Sequence, residues 1–233
     1  MRVRRWGVAV LAMGAVMVFC GIVKTQVFIP ATEAVGPQPG VPGTGLNGSW
    51  YFDPTNPTRG IGTIAAAQGI MASEQPYSVF SASYLLYVGN GATGDQTNAP
   101  QFLTSFFQND GNTLNPPNGD QIQSSIFDFQ GFISIGSAEL DTTFGLSSDD
   151  GSRLLIGQSS IQVVDNDGGH GNQLRTGEAM FEAPGLYPIE VIYFNADFTN
   201  NGSPHQGGAN LYFLSTLGGA GPVSPAILYP KAP

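Results

Sequence analysis

The second half of the chain consists of short apolar segments that recur at even intervals between turns. From residue 125 to residue 215, segments rich in Val, Ile, Phe, Tyr and Leu alternate with clusters of Gly, Asn and Asp. Within residues 186–195, Ile189, Val191 and Tyr193 occupy alternate positions, which is the period of a strand with one buried face. Strands at such spacing are typical of a sandwich or barrel. The pattern predicts an all-β, antiparallel β-sandwich or barrel.

Composition supports this fold class and a single large domain. The chain has 233 residues, with 32 Gly and 17 Pro, which favours turns over helices. The alanine-rich residues 64–71 are the one segment for which we predict helix. Further strands are predicted at 79–88 and 102–107, and a first strand starts near Leu46.

The charge balance excludes one class of partner. The formal net charge is −9, and three of the eight basic residues, Arg2, Arg4 and Arg5, lie at the extreme N-terminus. An acidic surface does not bind phosphate backbones, so we predict no nucleic-acid partner. It is compatible with cations and neutral ligands.

The N-terminus predicts export. Basic residues precede an uncharged apolar run, residues 7–23. Residues 1–25 are therefore predicted to be a signal peptide or a signal-anchor helix. The basic end stays in the cytoplasm, which makes the protein secreted, or membrane-anchored through this helix alone, with its domain extracytoplasmic. Thr32-Glu33-Ala34 is a distant candidate cleavage site. Residues 26–44 are predicted to be a Pro/Gly-rich linker and residues 45–233 the β domain.

Two adjacent carboxylates, Asp149 and Asp150, occupy the turn between two strand-like segments. Neighbouring like charges repel unless a cation neutralises them. Oxygen ligands at this density suit calcium, the usual hard cation outside the cell. The residues alone leave open a solvated Asp-Asp-Gly hairpin turn.

A second acidic loop, residues 165–171, has a simpler interpretation. Asp165, Asn166 and Asp167 resemble the start of a calcium loop, but a further ligand before the Gly and a later Glu are missing. We interpret them as turn-capping residues. His170, with no second His or Cys nearby, is interpreted as a loop histidine bonded to backbone.

Several motifs together resemble the protective-antigen (PA-14) domain family. Residues 45–52 are similar to that family's first strand, and the resemblance extends to about Tyr229. It is carried by the order and spacing of Ser148-Asp149-Asp150-Gly151-Ser152-Arg153-Leu154, Val164-Asp165-Asn166-Asp167-Gly168-Gly169-His170-Gly171, Gly185-Leu186-Tyr187-Pro188-Ile189-Glu190-Val191 and Tyr193-Phe194-Asn195.

The resemblance implies a β-sandwich or barrel and, in lectin-like members, a calcium site. There, a cis peptide bond joins the Asp pair, a second loop adds ligands that usually include an Asn, and sugar hydroxyls complete the coordination. In this chain the second loop is residues 196–208, entered from Asn195. The implied metal ligands are Asp149, Asp150, Asn195 and Asn201. The predicted sugar-contacting residues are Phe198, Asn200 and His205.

Two hypotheses for function follow. The first is a calcium-dependent carbohydrate-binding, lectin- or adhesin-like module whose partner is a glycan or cell-surface polysaccharide. The alternative is a structural or protein-interaction domain on the cell surface with a purely structural metal site. We predict no enzymatic activity, because glycosidic cleavage needs two carboxylates about 5–10 Å apart across a cleft, and no Ser-His-Asp arrangement is evident.

Overall fold

The structure, a computed structural model, describes residues 26–53, 60–88, 103–115, 122, 124–196, 198–200, 203–205 and 209–231. The predicted helix at residues 1–25 lies outside these ranges. The strands are β1 (Gln26–Ile29), β2 (Leu46–Tyr51), β3 (Ser78–Ala82), β4 (Leu86–Val88), β5 (Ser125–Ile135), β6 (Asp141–Asp149), β7 (Ser152–Ile156), β8 (Ile161–Asn166), β9 (Gln173–Phe181), β10 (Gly185–Asn195), β11 (Phe198–Asn200), β12 (Ser203–His205), β13 (Asn210–Ser215), β14 (Gly221–Pro222) and β15 (Leu228–Pro230). The helices are α1 (Ile64–Ser73) and α2 (Leu103–Phe107).

Most strands belong to two sheets. The first sheet has the order β1-β9-β6-β13-β14, with β4 also beside β13; the second has the order β3-β2-β5-β10-β7-β8, with β15 also beside β5. β11 and β12 form a separate hairpin. β1 pairs with β9 in parallel, and the neighbouring pairs β6–β9, β6–β13 and β5–β10 are antiparallel. The predicted β-sandwich is confirmed, but the fold is mostly β and not all-β, and the parallel β1–β9 pair departs from the predicted antiparallel arrangement.

The core lies between the two sheets and is dominated by aromatic side chains. Phe144 and Phe213 stack from adjacent strands of the first sheet, and Phe127 and Tyr193 stack from adjacent strands of the second. Trp50 is fully buried, and its indole N–H donates to the hydroxyl of Ser125 at 2.9 Å. A buried indole is stable when its polar edge has such a partner.

Helix α1 covers part of the outer face of the second sheet. Its N-cap, Thr63, accepts a hydrogen bond from the amide of Ala66 at 3.1 Å, as expected for a β-hydroxyl residue at this position. Ile64 packs with Ile192 and Phe194 in a second apolar cluster. The helix predicted at 64–71 is confirmed. The uncovered part of this face carries a pocket of about 450 Å³ with Gln130, Glu190 and Lys231 in its lining.

Two strand predictions were wrong. Residues 103–107 form α2, because Leu103, Phe106 and Phe107 follow the i, i+3, i+4 spacing of one helical face, and all three are buried. The single strand predicted at 79–88 is split into β3 and β4. Ser83, between them, donates its amide proton to Asp110 at 3.0 Å, and a backbone amide used in this way is lost to the strand ladder.

The segment predicted to be a linker lies along the sandwich. β1 forms an edge of the first sheet, and Ile29 is fully buried. The carboxylate of Glu33 accepts from the amide and the hydroxyl of Ser159 at 2.7 and 2.8 Å, and the amide of Val35 donates to the carbonyl of Leu186 at 2.8 Å. Pro and Gly interrupt regular structure without preventing such contacts. Among the described residues, no helix is both apolar enough and long enough to cross a bilayer.

We expect a chain starting at residue 35 to be less stable than one starting at residue 26. A cut after Ala34 removes β1 and the Glu33 contacts, and burial of Ile29 alone contributes roughly 2 kcal/mol. Urea unfolding of the two chains measures the difference, and a Glu33→Gln variant of the longer chain separates the carboxylate's contribution. Equal unfolding midpoints would show that β1 contributes nothing.

If export removes the N-terminal segment, sequencing of the secreted chain should find a start at or before Gln26.

Candidate functional site

The Asp149–Asp150 pair lies in the tight turn between β6 and β7. A cis peptide bond joins the two residues, as the family resemblance implied. The hydroxyl of Tyr193 donates to the carbonyl of Asp149 at 2.6 Å, and the hydroxyls of Ser148 and Ser152 bond across the turn at 2.7 Å. Asp149 is 8% exposed and Asp150 is 1% exposed. The turn is therefore buried, which excludes the solvated hairpin that the residues alone left open.

Asp150 links two loops to the turn. One carboxylate oxygen accepts from the amide of His170 and the other from the amide of Ala196, both at 2.8 Å. The ring nitrogens of His170 lie 2.9 and 3.1 Å from the carbonyl oxygens of Gly171 and Asn166. His170 is thus a backbone-bonded loop histidine, as predicted. Asp150 fixes the start of the 196–208 loop beside the acid pair.

Asp149 has a different environment. No donor among the described residues bonds its carboxylate, and burial, followed by the charge of Asp150, raises its pKa to about 7. Burial also raises the pKa of Asp150 to about 6, although the amides of Ala196 and His170 oppose that shift. Two buried carboxylates are unfavourable when ionised without a counter-charge. The charge of His170 opposes the rise in both pKa values, and the buried pair is a candidate site for a cation.

Asn195, a predicted metal ligand, stands next to this pair. It is 1% exposed, and neither its Oδ1 nor its Nδ2 has a hydrogen-bond partner among the described residues. It lies two residues after Tyr193, so both side chains share one face of β10, and Tyr193 reaches Asp149. A buried amide rarely lacks partners in a folded protein. The structure thus brings together three predicted ligands, Asp149, Asp150 and Asn195.

The structure describes only part of the 196–208 loop. Its centre is the β11–β12 hairpin, in which Phe198 pairs with His205 and Asn200 with Ser203. This places the backbone of three predicted sugar-contacting residues, Phe198, Asn200 and His205, on a hairpin that follows Asn195 in the chain. The predicted ligand Asn201 lies outside the described residues. The roles of these four side chains remain predictions.

Sequence reasoning missed one residue of this region, Asn210. It is the first residue of β13 and lies opposite Asp149 in the β6–β13 ladder. Its side chain is fully buried, and its Oδ1 has no partner among the described residues. Asparagine is depleted in strands, so its place at the start of the apolar segment 210–215 was the available signal.

The donor set fits calcium. The described residues contain no group of three or more His, Cys, Asp or Glu side chains suited to a metal, and the site offers two carboxylates together with amide groups. Calcium accepts carboxylate and amide oxygens at flexible angles, whereas zinc prefers nitrogen and sulfur. The unpartnered Oδ1 of Asn195 and the unbonded Asp149 carboxylate are the groups that such an ion would satisfy.

The fold and this region define a class: a two-sheet β-sandwich with a buried, cis-linked Asp pair at the base of a long loop. No protein-family model and no curated protein matched the sequence. Among solved structures, the chain is similar to PA14 domains and has their fold. It aligns with the PA14 domain of the antifreeze protein MpAFP at a TM-score of 0.63 and 16% identity, covering 84% of this chain and 95% of that one.

Two further structures share the fold. The PA14 sugar-binding domain from an RTX adhesin aligns at a TM-score of 0.60 and 18% identity, over 82% of this chain and 100% of that domain. The A domain of a subtype-switched Epithelial Adhesin 9 from Candida glabrata, in complex with β-lactose, aligns at 0.50 and 13% identity, over 80% and 86%.

Proposed function

We propose that this protein is a calcium-dependent carbohydrate-binding domain that acts outside the cytoplasm and catalyses no reaction. The observation that carries the proposal is the buried Asp149–Asp150 pair with the unpartnered amide of Asn195 beside it. The solved structures of a sugar-binding adhesin domain and of an adhesin with bound β-lactose share its fold. A galactose-containing glycan is therefore the first ligand to test, and a cell-surface polysaccharide is the expected partner.

Each residue of the site has a distinct task in this function. Asp149, Asp150 and Asn195 would hold calcium, which supplies open coordination positions for the vicinal hydroxyls of a sugar. Asp150 also fixes the loop start through the amide of Ala196. The loop then carries Phe198 for stacking on a sugar face, Asn200 and His205 as polar contacts, and Asn201 as a further calcium ligand. The acids bind and position, so none is left as a general acid or nucleophile.

The alternative function keeps the ion and omits the sugar. Asp150 joins the His170 and Ala196 loops, so a cation at this turn would also stabilise the rim of a protein-interaction domain. The two functions predict different results after chelation. In the structural case, removing calcium lowers the melting temperature although no glycan binds under any condition.

Replacing Asp149 with asparagine tests the proposal with little risk to the fold, because no described residue bonds its carboxylate. By isothermal titration calorimetry, the wild type should bind calcium, and lactose only with calcium present. Asp149→Asn should weaken calcium binding by at least about 10-fold and lose lactose binding. Asp165→Asn is the matched control, because that carboxylate pairs with Arg153 outside the site. A wild type that binds no calcium, or glycan binding that persists in chelator, contradicts the proposal.

A further inference from the structure

An asparagine stands at each end of the 196–208 loop. Asn195 ends β10 in the second sheet, and Asn210 begins β13 in the first. Both side chains are buried, and both have unpartnered amide oxygens among the described residues. The family resemblance assigned a role to the first position only. The second position has the same unsatisfied chemistry and lies against the same acid pair.

The orientation of the Asn210 amide follows from its bonds. Its Nδ2 donates to the Oδ1 of Asn172 at 3.0 Å and to the carbonyl of Ser147 at 3.3 Å. Both partners are acceptors, so the nitrogen must face them. Oxygen and nitrogen occupy opposite arms of a planar amide. The Oδ1 of Asn210 therefore lies on the arm away from Ser147.

The strand register places this amide beside the acid pair. Ser147 precedes Asp149 by two residues on β6, and Asn210 is directly opposite Asp149 in the ladder. Directly opposed residues of an antiparallel pair have Cβ atoms about 5 Å apart. An amide oxygen and a carboxylate are both acceptors, so neither can satisfy the other. A cation between them would satisfy both.

We propose that the Oδ1 of Asn210 is a further ligand of the cation site, contributed by the first sheet at the far end of the loop. The inference rests on the proposed calcium site and extends its ligand set. The ion would then contact Asn195 from one sheet and Asp149 and Asn210 from the other. It would thereby bridge Asn195, at the end of β10, and Asn210, at the start of β13.

Three variants separate a ligand from a structural amide. Asn210→Ala removes Oδ1 together with the bonds to Asn172 and Ser147. Asn172→Ala, the matched control, removes the main acceptor of the Asn210 amide nitrogen and leaves Oδ1 in place. Asn210→Asp replaces the amide oxygen with a carboxylate, a stronger calcium ligand. Calcium titrations by calorimetry, and melting temperatures with and without chelator, are measured for each.

We expect Asn210→Ala to bind calcium at least about 10-fold more weakly than the wild type, and Asn172→Ala to bind it as the wild type does. The calcium-induced rise in melting temperature should shrink in Asn210→Ala and be retained or increased in Asn210→Asp. Calcium affinity in Asn210→Ala equal to that of the wild type overturns this inference, while loss of binding in Asp149→Asn leaves the proposed function standing. A wild type that binds no calcium overturns both.

Discussion

Replacing Asp128 with asparagine should remove a large part of the dependence of folding stability on pH. Asp128 on β5 and Glu190 on β10 lie on the outer face of the second sheet, with their carboxyl groups within hydrogen-bonding reach of each other. Asp128 is 4% exposed, and Gln130 donates to its Oδ2 at 2.8 Å. Asp128 is buried and Glu190 is half-buried. Two carboxyl groups in contact in such a place cannot both ionise cheaply, so they share a proton.

The direction of the effect follows from the pKa shifts. Burial, and then the charge of Glu190, raise the pKa of Asp128 to about 8, and burial raises the pKa of Glu190. The positive charge of Lys231, near the C-terminus, opposes the rise in the pKa of both acids. Tyr51, on β2, lies near the pair, and burial, followed by their charges, raises its pKa. An unfolded Asp releases its proton near pH 4. The pair's contribution to stability is therefore full below about pH 4 and is lost as pH rises through about 8.

The size of the effect is on the order of 1.4 kcal/mol per pH unit for one proton held by the folded state alone. In Asp128→Asn, the new side-chain amide would donate a hydrogen to Glu190 and so replace the shared proton at every pH. We expect urea unfolding between pH 5 and pH 8 to give a steeper loss of stability for the wild type than for Asp128→Asn, with the variant more stable at pH 8.

Two controls isolate this pair. The pKa values of Asp149 and Asp150 are also raised, so they add a pH dependence of the same sign to both proteins and cancel in the comparison. Saturating calcium reduces that background if the ion binds there. Asp165→Asn, which changes an acid paired with Arg153 at the surface, should follow the wild-type curve. Parallel curves for the wild type and Asp128→Asn would contradict a shared proton.

The sequence predicted those parts of the fold that depend on local periodicity. Alternation along residues 186–195 corresponds to β10, and the alanine-rich segment corresponds to α1. Periodicity failed where an element is short. The five residues of α2 span little more than one helical turn, and so short an apolar segment is equally compatible with a buried strand.

Residues that act through strand pairing were beyond sequence reasoning. Asp128 meets Glu190 because the β5–β10 register places Gln130 opposite Glu190, and Asn210 meets Asp149 through the register of β6 and β13. Register depends on the whole sheet and not on either segment alone. By contrast, Asp149 and Asp150 are adjacent in the chain. Asn195 was predicted from the family resemblance, which already implied that this position lies beside the acid pair.

Asp150→Ala should destabilise the protein even when calcium is absent, whereas Asp149→Ala should lower the free energy of unfolding much less. The Asp150 carboxylate accepts from two backbone amides, those of His170 and Ala196. Removing it leaves both donors without their acceptor, and charged acceptors of this kind contribute about 1.5–3 kcal/mol each. Relief of the buried charge offsets part of that loss, so we expect a net cost of roughly 2–4 kcal/mol.

Hydrogen exchange gives the site-specific measurement, because in chelator the amides of His170 and Ala196 should lose protection in Asp150→Ala and keep it in Asp149→Ala. Asp150→Asn retains one acceptor oxygen, so its protection of these amides should lie between those of the two alanine variants. If both alanine variants lose equal stability without calcium, Asp150 is not the anchor of the two loops. With calcium present, both variants should lose the stabilisation that the ion adds. Only Asp150→Ala should also displace the start of the 196–208 loop, because Ala196 opens that loop.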